Sequence, residues 1–264
     1  MATIKEAYER SNYTVTSKLV RRTRSLISPE NILALEKNLD ELPKIFGNTR
    51  WVLTGGIATQ IACKEWYRNP GNINVSVHED ALFEIAQHAH EKANYRLLSR
   101  GWQIRPYPGI KRETYEVPNW NMQELSRNYP NLRLIRFDGK NPSPNKEFLD
   151  FIDVHLYRIA QHRYDIFPQF NCDEIVSLDG NKAAPIIPFT VAEKNIQYVT
   201  NSNKIIQVRG LEYLHHIKYW LVMRDQNQKR REREIDYFDL TKLKQAKKIS
   251  EKQQLTQIDS ALKT

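Results

Sequence analysis

Cysteine is nearly absent. Only Cys63 and Cys172 occur in a chain of 264 residues, far apart and in no metal-type spacing. That argues against a disulfide framework and makes a reducing compartment the default. Long hydrophobic runs are missing too. Nothing approaches the ~18 consecutive apolar residues that a membrane span needs, so no membrane partner is expected. Met1 to Glu9 is polar and mixed in charge, so no secretory signal is expected and the expected location is cytoplasmic. Internal repeats and low-complexity tracts are lacking as well.

What is present describes an ordinary soluble globular protein. Apolar residues make up 40% and charged residues 27% of the chain, enough for one large domain or two modest ones. The formal net charge is +9. An excess of that sign favours a polyanionic partner such as RNA, DNA or a nucleoside triphosphate, with simple solubility as the plain alternative.

Three regions emerge along the chain, with expected boundaries at 1–47, 48–160 and 161–264. The first reads as helical. From Asn31 to Phe46, Ile32, Leu33, Leu35, Leu39, Leu42 and Ile45 recur near helical spacing, and Ser28-Pro29 is a fitting N-cap and first-turn proline. The second region alternates strands and helices. Trp51 to Leu53 is a short apolar run ending at Gly55-Gly56, and Ile57, Ala58, Ile61, Ala62 and Trp66 form a helical stripe. Asn74 to Val77 alternates like a strand, Asp80 to His90 reads as a helix, and Leu132 to Phe137 and Phe148 to Leu156 read as further strands. Pro106 to Trp120 reads as a hairpin or loop, and Asp138-Gly139 with Asn141-Pro-Ser-Pro144 as a turn. The third region turns helical after a short strand at Ile205 to Val208. Leu211, Leu214, Ile217, Leu221 and Val222 mark one helix, Lys229 to Arg233 is a basic stretch, and Ile235, Phe238 and Leu240 to Leu243 mark a second helix. The polar tail from Lys244 is expected to fray.

The chemistry concentrates in two stretches, Trp51-Val-Leu-Thr-Gly-Gly-Ile-Ala58 and Arg68-Asn-Pro-Gly-Asn-Ile-Asn-Val-Ser-Val77. A strand that ends in two glycines and enters a helix lets backbone N–H groups approach a phosphate, helped by the helix dipole. A tight turn is the commoner use of such a pair. Asn72 and Asn74 stand on alternate positions of a strand and so project to one face. Aspartates there would chelate a divalent metal for phosphoryl transfer, with a third acid from a neighbouring strand. Asp153, in Phe151-Ile-Asp-Val-His155, is the candidate, because an unpaired carboxylate is costly to bury in mid-strand.

These residues, in this order, resemble the nucleotidyltransferase superfamily of the DNA polymerase β-like type. The likeness is to its antibiotic nucleotidyltransferases and to its toxin-like members from toxin–antitoxin and abortive-infection systems. The family pattern is an apolar strand, a Gly-Gly or Gly-Ser turn, a helix, an Arg four residues before an Asp-x-Asp strand, and a later Asp. Gly55-Gly56, Arg68, Asn72-Ile73-Asn74 and Asp153 occupy those places. The toxin-like branch adds a helix with a central Lys, a basic segment, and Asp-x-x-Asp before an apolar residue. Lys218, Lys229 to Arg233, and Asp236-Tyr-Phe-Asp239-Leu240 supply these, with Ile235 where a Lys usually stands.

The resemblance implies an α/β fold: a small mixed-sheet core, N-terminal helices and a helical C-terminal domain. It implies transfer of a nucleoside monophosphate from a triphosphate to a hydroxyl on RNA (tRNA included), a protein or a small molecule, with Mg²⁺ as cofactor. Asn72, Asn74 and Asp153 would be the catalytic and metal positions. Thr54, Gly55, Gly56, Arg68, Lys218, Asp236 and Asp239 would contact the nucleotide. An antitoxin-like protein would be a partner.

The departure is the pair of asparagines. A neutral amide oxygen is a poorer Mg²⁺ ligand than a carboxylate, and two lost charges weaken the grip on metal and triphosphate. Either a natural pseudoenzyme that binds nucleotide or RNA without chemistry, or an enzyme whose two aspartates were replaced, fits this pattern. Plainer readings also exist. The amides could decorate a solvated strand face, Asp153 could be a structural acceptor, and Lys218 could snorkel from a helix stripe. Asp236 and Asp239 could simply pair with Arg233 or Lys242. His155, His215 and His216 form no ligand set, so no metal is assigned to them.

Overall fold

Ser28 opens the first helix, as its position before a proline predicts. Its side chain accepts from the Asn31 amide, Pro29 needs no amide partner, and helix α1 runs Pro29–Leu39. A tight turn leads to α2 (Leu42–Phe46), which Gly47 ends at φ +60°. The inward faces of the two helices, Leu35, Leu39, Leu42, Ile45 and Phe46, are buried. The computed structural model describes residues 27–99, 102–103, 132–136, 151–162, 172–177, 186–227 and 234–261. The expected helix over 1–26, the loop at 106–120, the turn at 138–144 and the basic stretch at 229–233 lie outside these residues.

The centre is a mixed sheet of ten strands among the described residues: β1 (Trp51–Thr54), β2 (Ile73–His78), β3 (Tyr95–Ser99), β4 (Trp102–Gln103), β5 (Leu132–Arg136), β6 (Phe151–His162), β7 (Cys172–Ser177), β8 (Ile186–Pro188), β9 (Ile196–Val199) and β10 (Ile205–Val208). The main path runs β4-β3-β5-β6-β2-β1-β10-β9, with β7 and β8 continuing from β6. The pairs β2–β6 and β1–β10 are parallel, and the other pairs are antiparallel. The remaining helices are α3 (Gly55–Ala62), α4 (Leu82–Ala93), preceded by a 3-10 turn at Glu79–Ala81, α5 (Phe189–Ala192), α6 (Leu211–Asn227) and α7 (Glu234–Ala261). The α/β class expected from the sequence is therefore present: a mixed sheet with helices before it and two long helices after it. No helix among the described residues is long and apolar enough to cross a membrane.

The alternation in β2 works as its period of two requires. Ile73, Val75 and Val77 are fully buried beside Ile152, Val154 and Leu134, and the opposite face is left to polar residues. The structure departs from the periodicity in three places. Helix α3 stops at Ala62 because Lys64 takes a left-handed φ of +55°, so Trp66 packs on the core from the loop beyond it. Strands β9 and β10 come from the third region yet join the central sheet, with Leu53 opposite Val208. The tail from Lys244, expected to fray, continues α7 as far as Ala261, since the helix contains neither glycine nor proline.

Two acidic side chains at the end of α1 fasten the β9–β10 hairpin. Asp40 accepts from the Thr200 and Ser202 hydroxyls, and Glu36 accepts from the Tyr198 hydroxyl. Glu36 is 6% exposed, and its Oε2 finds no partner among the described residues. Burial pushes the Glu36 carboxyl above the ordinary range, the Tyr198 bond opposes this, and the nearby Asp40 charge adds to it. A folded-state pKa above the unfolded one gives stability that is present at low pH and is lost as pH rises through the folded value. Glu36→Gln should therefore raise the urea midpoint at pH 7 to 8. The gain should vanish below pH ~4, where the ordinary glutamate is itself protonated. A gain that persisted unchanged at pH 3 would contradict the burial of a charged Glu36 as its cause.

Candidate functional site

Strand β1 delivers the chain to a turn that only glycine makes easily. Gly55 has φ +73°, and a Cβ on it would stand 3.0 Å from the Cβ, Cγ and Nδ2 of Asn74. The turn thus lies directly against the amide, with no side chain between. Thr54, at the N-cap of α3, makes no side-chain cap bond, so the first amides of that helix face the same end of the sheet uncapped.

Register then aligns a row across four strands. Thr54 pairs with Asn74, Asn74 with Asp153, and Asp153 with Arg133. Paired residues share a face, so these four side chains cross the sheet side by side. Asn72, just before β2, completes the group. Its Nδ2 donates to Asp153 Oδ2 and lies 3.5 Å from Asn74 Oδ1. Asn74 Nδ2 donates to the Asn72 carbonyl at 3.1 Å, and the His155 ring nitrogen Nε2 is 3.1 Å from Asn74 Oδ1. Arg133 Nε donates to Asp153 Oδ1 at 2.7 Å. Positions 72, 74 and 153 therefore converge beside the glycine turn.

The other residues singled out form a second group behind that turn. Arg68 lies over Gly56, where a Cβ would stand 2.0 Å from its terminal nitrogen. Its guanidinium grips Asp239 in bidentate fashion, Nε to Oδ1 at 2.9 Å and the second nitrogen to Oδ2 at 3.0 Å. Lys218 on α6 reaches Asp236 Oδ1 at 2.5 Å and Asp239 Oδ2 at 2.8 Å, both on α7. The Tyr67 hydroxyl donates to Asp239 Oδ1 at 2.8 Å. Gln60 Oε1 on α3 holds the segment by accepting from the amides of Tyr67 and Arg68. All four charged members are buried. Burial alone would lift the Asp239 carboxyl, but the Lys218 charge and the Arg68 guanidinium outweigh it and hold it below the ordinary range. Burial works against the Arg68 cation too, and the Asp239 bond and charge overcome it. Among the described residues two cations thus meet two anions, and their charges balance.

The sequence overlooked Arg133 and Tyr67, and it gave His155 no role. His155 was within reach of inference, because it stands two residues after Asp153 in one strand and so shares its face. Nothing local marks Arg133 as the neighbour of Asp153.

A divalent metal ion needs several hard oxygens turned toward one point. Among the described residues no group of three His, Cys, Asp or Glu side chains could hold one. Asp153 is the sole carboxylate in the row, and its two oxygens are taken by Arg133 Nε and Asn72 Nδ2. The residues present at 72, 74, 133 and 153 do not fit Mg²⁺.

No family model matches the chain, and no curated protein matches it. Three solved chains match. One is the lincosamide antibiotic adenylyltransferase LnuA in its lincomycin-bound form, 11% identical, with a TM-score of 0.40, covering 83% of this chain and 98% of that chain. A likeness of that degree leaves the function to be read from the site itself.

Proposed function

We propose that this chain is a nucleotidyltransferase-type protein: it holds a nucleoside triphosphate at the Gly55 turn, and its transfer of a nucleoside monophosphate to a hydroxyl acceptor is silenced by amides at 72 and 74. One observation carries the reading. Asn72, Asn74 and Asp153 converge in one row against a positive-φ glycine that opens a helix. Uncapped amides at a helix start suit a phosphate. Three side chains at the neighbouring strand ends are where acids would govern a reacting phosphoryl group. Thr54, Gly55 and Gly56 would line the phosphate, and the Arg68–Asp239 and Lys218–Asp236 pairs would hold α3 and the loop after it in position. The net charge of +9 favours a polyanionic acceptor such as RNA or tRNA over a cationic antibiotic. An antitoxin-like partner and a cytoplasmic setting belong to the same proposal.

The test compares the chain with Asn72→Asp/Asn74→Asp, offering α-labelled triphosphates with RNA, protein and small-molecule acceptors. The chain itself should transfer no label. The restored double variant should transfer it, and only when Mg²⁺ is supplied. A double variant that binds no triphosphate and labels nothing would end the reading. A purely binding role is the second reading, favoured by the engagement of both Asp153 oxygens. A restored variant that binds triphosphate yet labels no acceptor would select it.

A further inference from the structure

The misfit between this site and a divalent ion has a physical cause. Three carboxylates in one row would place three negative charges where a triphosphate has to lie. Such a site repels its ligand until a metal intervenes. Here the charges are different. Asp153 is the row's single anion, the amides at 72 and 74 are neutral, and the Arg133 guanidinium lies 2.7 Å from Asp153 Oδ1. Among the described residues, the row's one anion is matched by one cation.

Residues 133 and 153 are directly paired between β5 and β6, and their side chains are 8% and 18% exposed. A pair so shielded from water interacts more strongly than a surface pair and is little screened by salt. The second Asp153 oxygen accepts from Asn72, so an incoming metal would compete with two donors for one carboxylate and would find only neutral amides beside it.

Taking the nucleotide site proposed at the Gly55 turn as its basis, we infer that Arg133 is the built-in counter-charge to Asp153, doing the neutralising that a metal would otherwise do there, and that the chain binds nucleoside triphosphates without a divalent ion. Arg133 acts through Asp153, as a positioning residue.

Calorimetry with ATP, GTP, CTP and UTP, each in EDTA and in Mg²⁺, tests this on four proteins: the chain, Arg133→Met, Arg133→Lys and Asn72→Asp/Asn74→Asp. For the chain, the Kd of the preferred triphosphate should agree within about two-fold between EDTA and Mg²⁺. Arg133→Met leaves the Asp153 charge uncompensated and should raise that Kd by about ten-fold or more, with Arg133→Lys recovering part of the loss. The double variant should bind in Mg²⁺ and lose most of its affinity in EDTA. The comparison of EDTA with Mg²⁺ uses the unaltered chain, so it stands even if Arg133→Met fails to fold. Binding by the unaltered chain that requires Mg²⁺ would overturn the inference, as would folded Arg133 variants with unchanged Kd. If the chain and the double variant both bind only in Mg²⁺, the inference fails and the proposed function stands. If neither binds, both fail.

Discussion

Asp239→Ala should cost about 3–5 kcal/mol of stability, the penalty typical of stripping one partner from a buried ion pair. For a chain of this size that lowers the thermal midpoint by about 5–10 °C. The size of the effect comes from how much converges on one carboxylate. Asp239 is fully buried and accepts from Tyr67 and twice from Arg68, and Lys218 lies 2.8 Å away. Its loss strands two buried cations opposite Asp236 alone. Removing charges together should behave differently. Arg68→Met/Asp239→Leu should recover much of what Asp239→Ala loses, because an apolar replacement of both partners avoids the stranded charge. Acid should tell the same story. The folded Asp239 carboxyl lies below its ordinary range, so its contribution is present above the unfolded pKa and is lost as pH falls through the folded value. Thermal midpoints measured from pH 7 down to 2 should fall less steeply for the alanine variant than for the parent. A midpoint within about 2 °C of the parent at pH 7 would show that the clamp does not hold the fold together.

Gly56→Ala should be nearly as damaging for a single added methyl, about 2–3 kcal/mol by urea denaturation. The new Cβ would stand 2.0 Å from the terminal nitrogen of Arg68, a distance no pair of atoms tolerates. A free arginine would swing aside cheaply. This one is tied at two of its three nitrogens to Asp239, so making room means breaking a bidentate ion pair. The two substitutions must therefore be strongly non-additive. In an Arg68→Met background the Gly56→Ala change should cost less than about half of its value in the parent, which a double-mutant cycle measures directly. Equal costs in both backgrounds would show that the glycine serves the turn and not the clamp. Gly55 differs, because its positive φ and its contact with Asn74 tie it to the amide row instead.

Much of the architecture was open to reading along the chain. The capped start of α1, the short strand running into two glycines, the two-residue alternation around Ile73 to Val77 and the stripe from Leu211 to Val222 all arise from local periodicity. Local periodicity is set by backbone geometry within a few residues. The helix reaching Trp66 and the fraying tail were misread for a related reason. A single left-handed residue, Lys64, ends one helix, and the absence of any breaker sustains the other. Neither leaves a mark on the hydrophobic pattern.

Arg68, Lys218, Asp236 and Asp239 illustrate the other side. The sequence nominated all four as groups facing a nucleotide, and in the folded chain they bond to one another, with Arg68 and Asp239 171 residues apart. Charge type is visible in a sequence, and the identity of its partner is not.

What the sequence determined by itself is the shape of the strongly periodic elements and the face to which their side chains point, including the shared face of positions 72 and 74. What only the tertiary structure decided is which faces meet. Strand register across β1, β2, β6 and β5 set Arg133 beside Asp153 and Asn74 beside the glycine turn. Register depends on the packing of the whole buried face rather than on any neighbour in the chain, and so an arginine between two leucines became the counter-ion of Asp153.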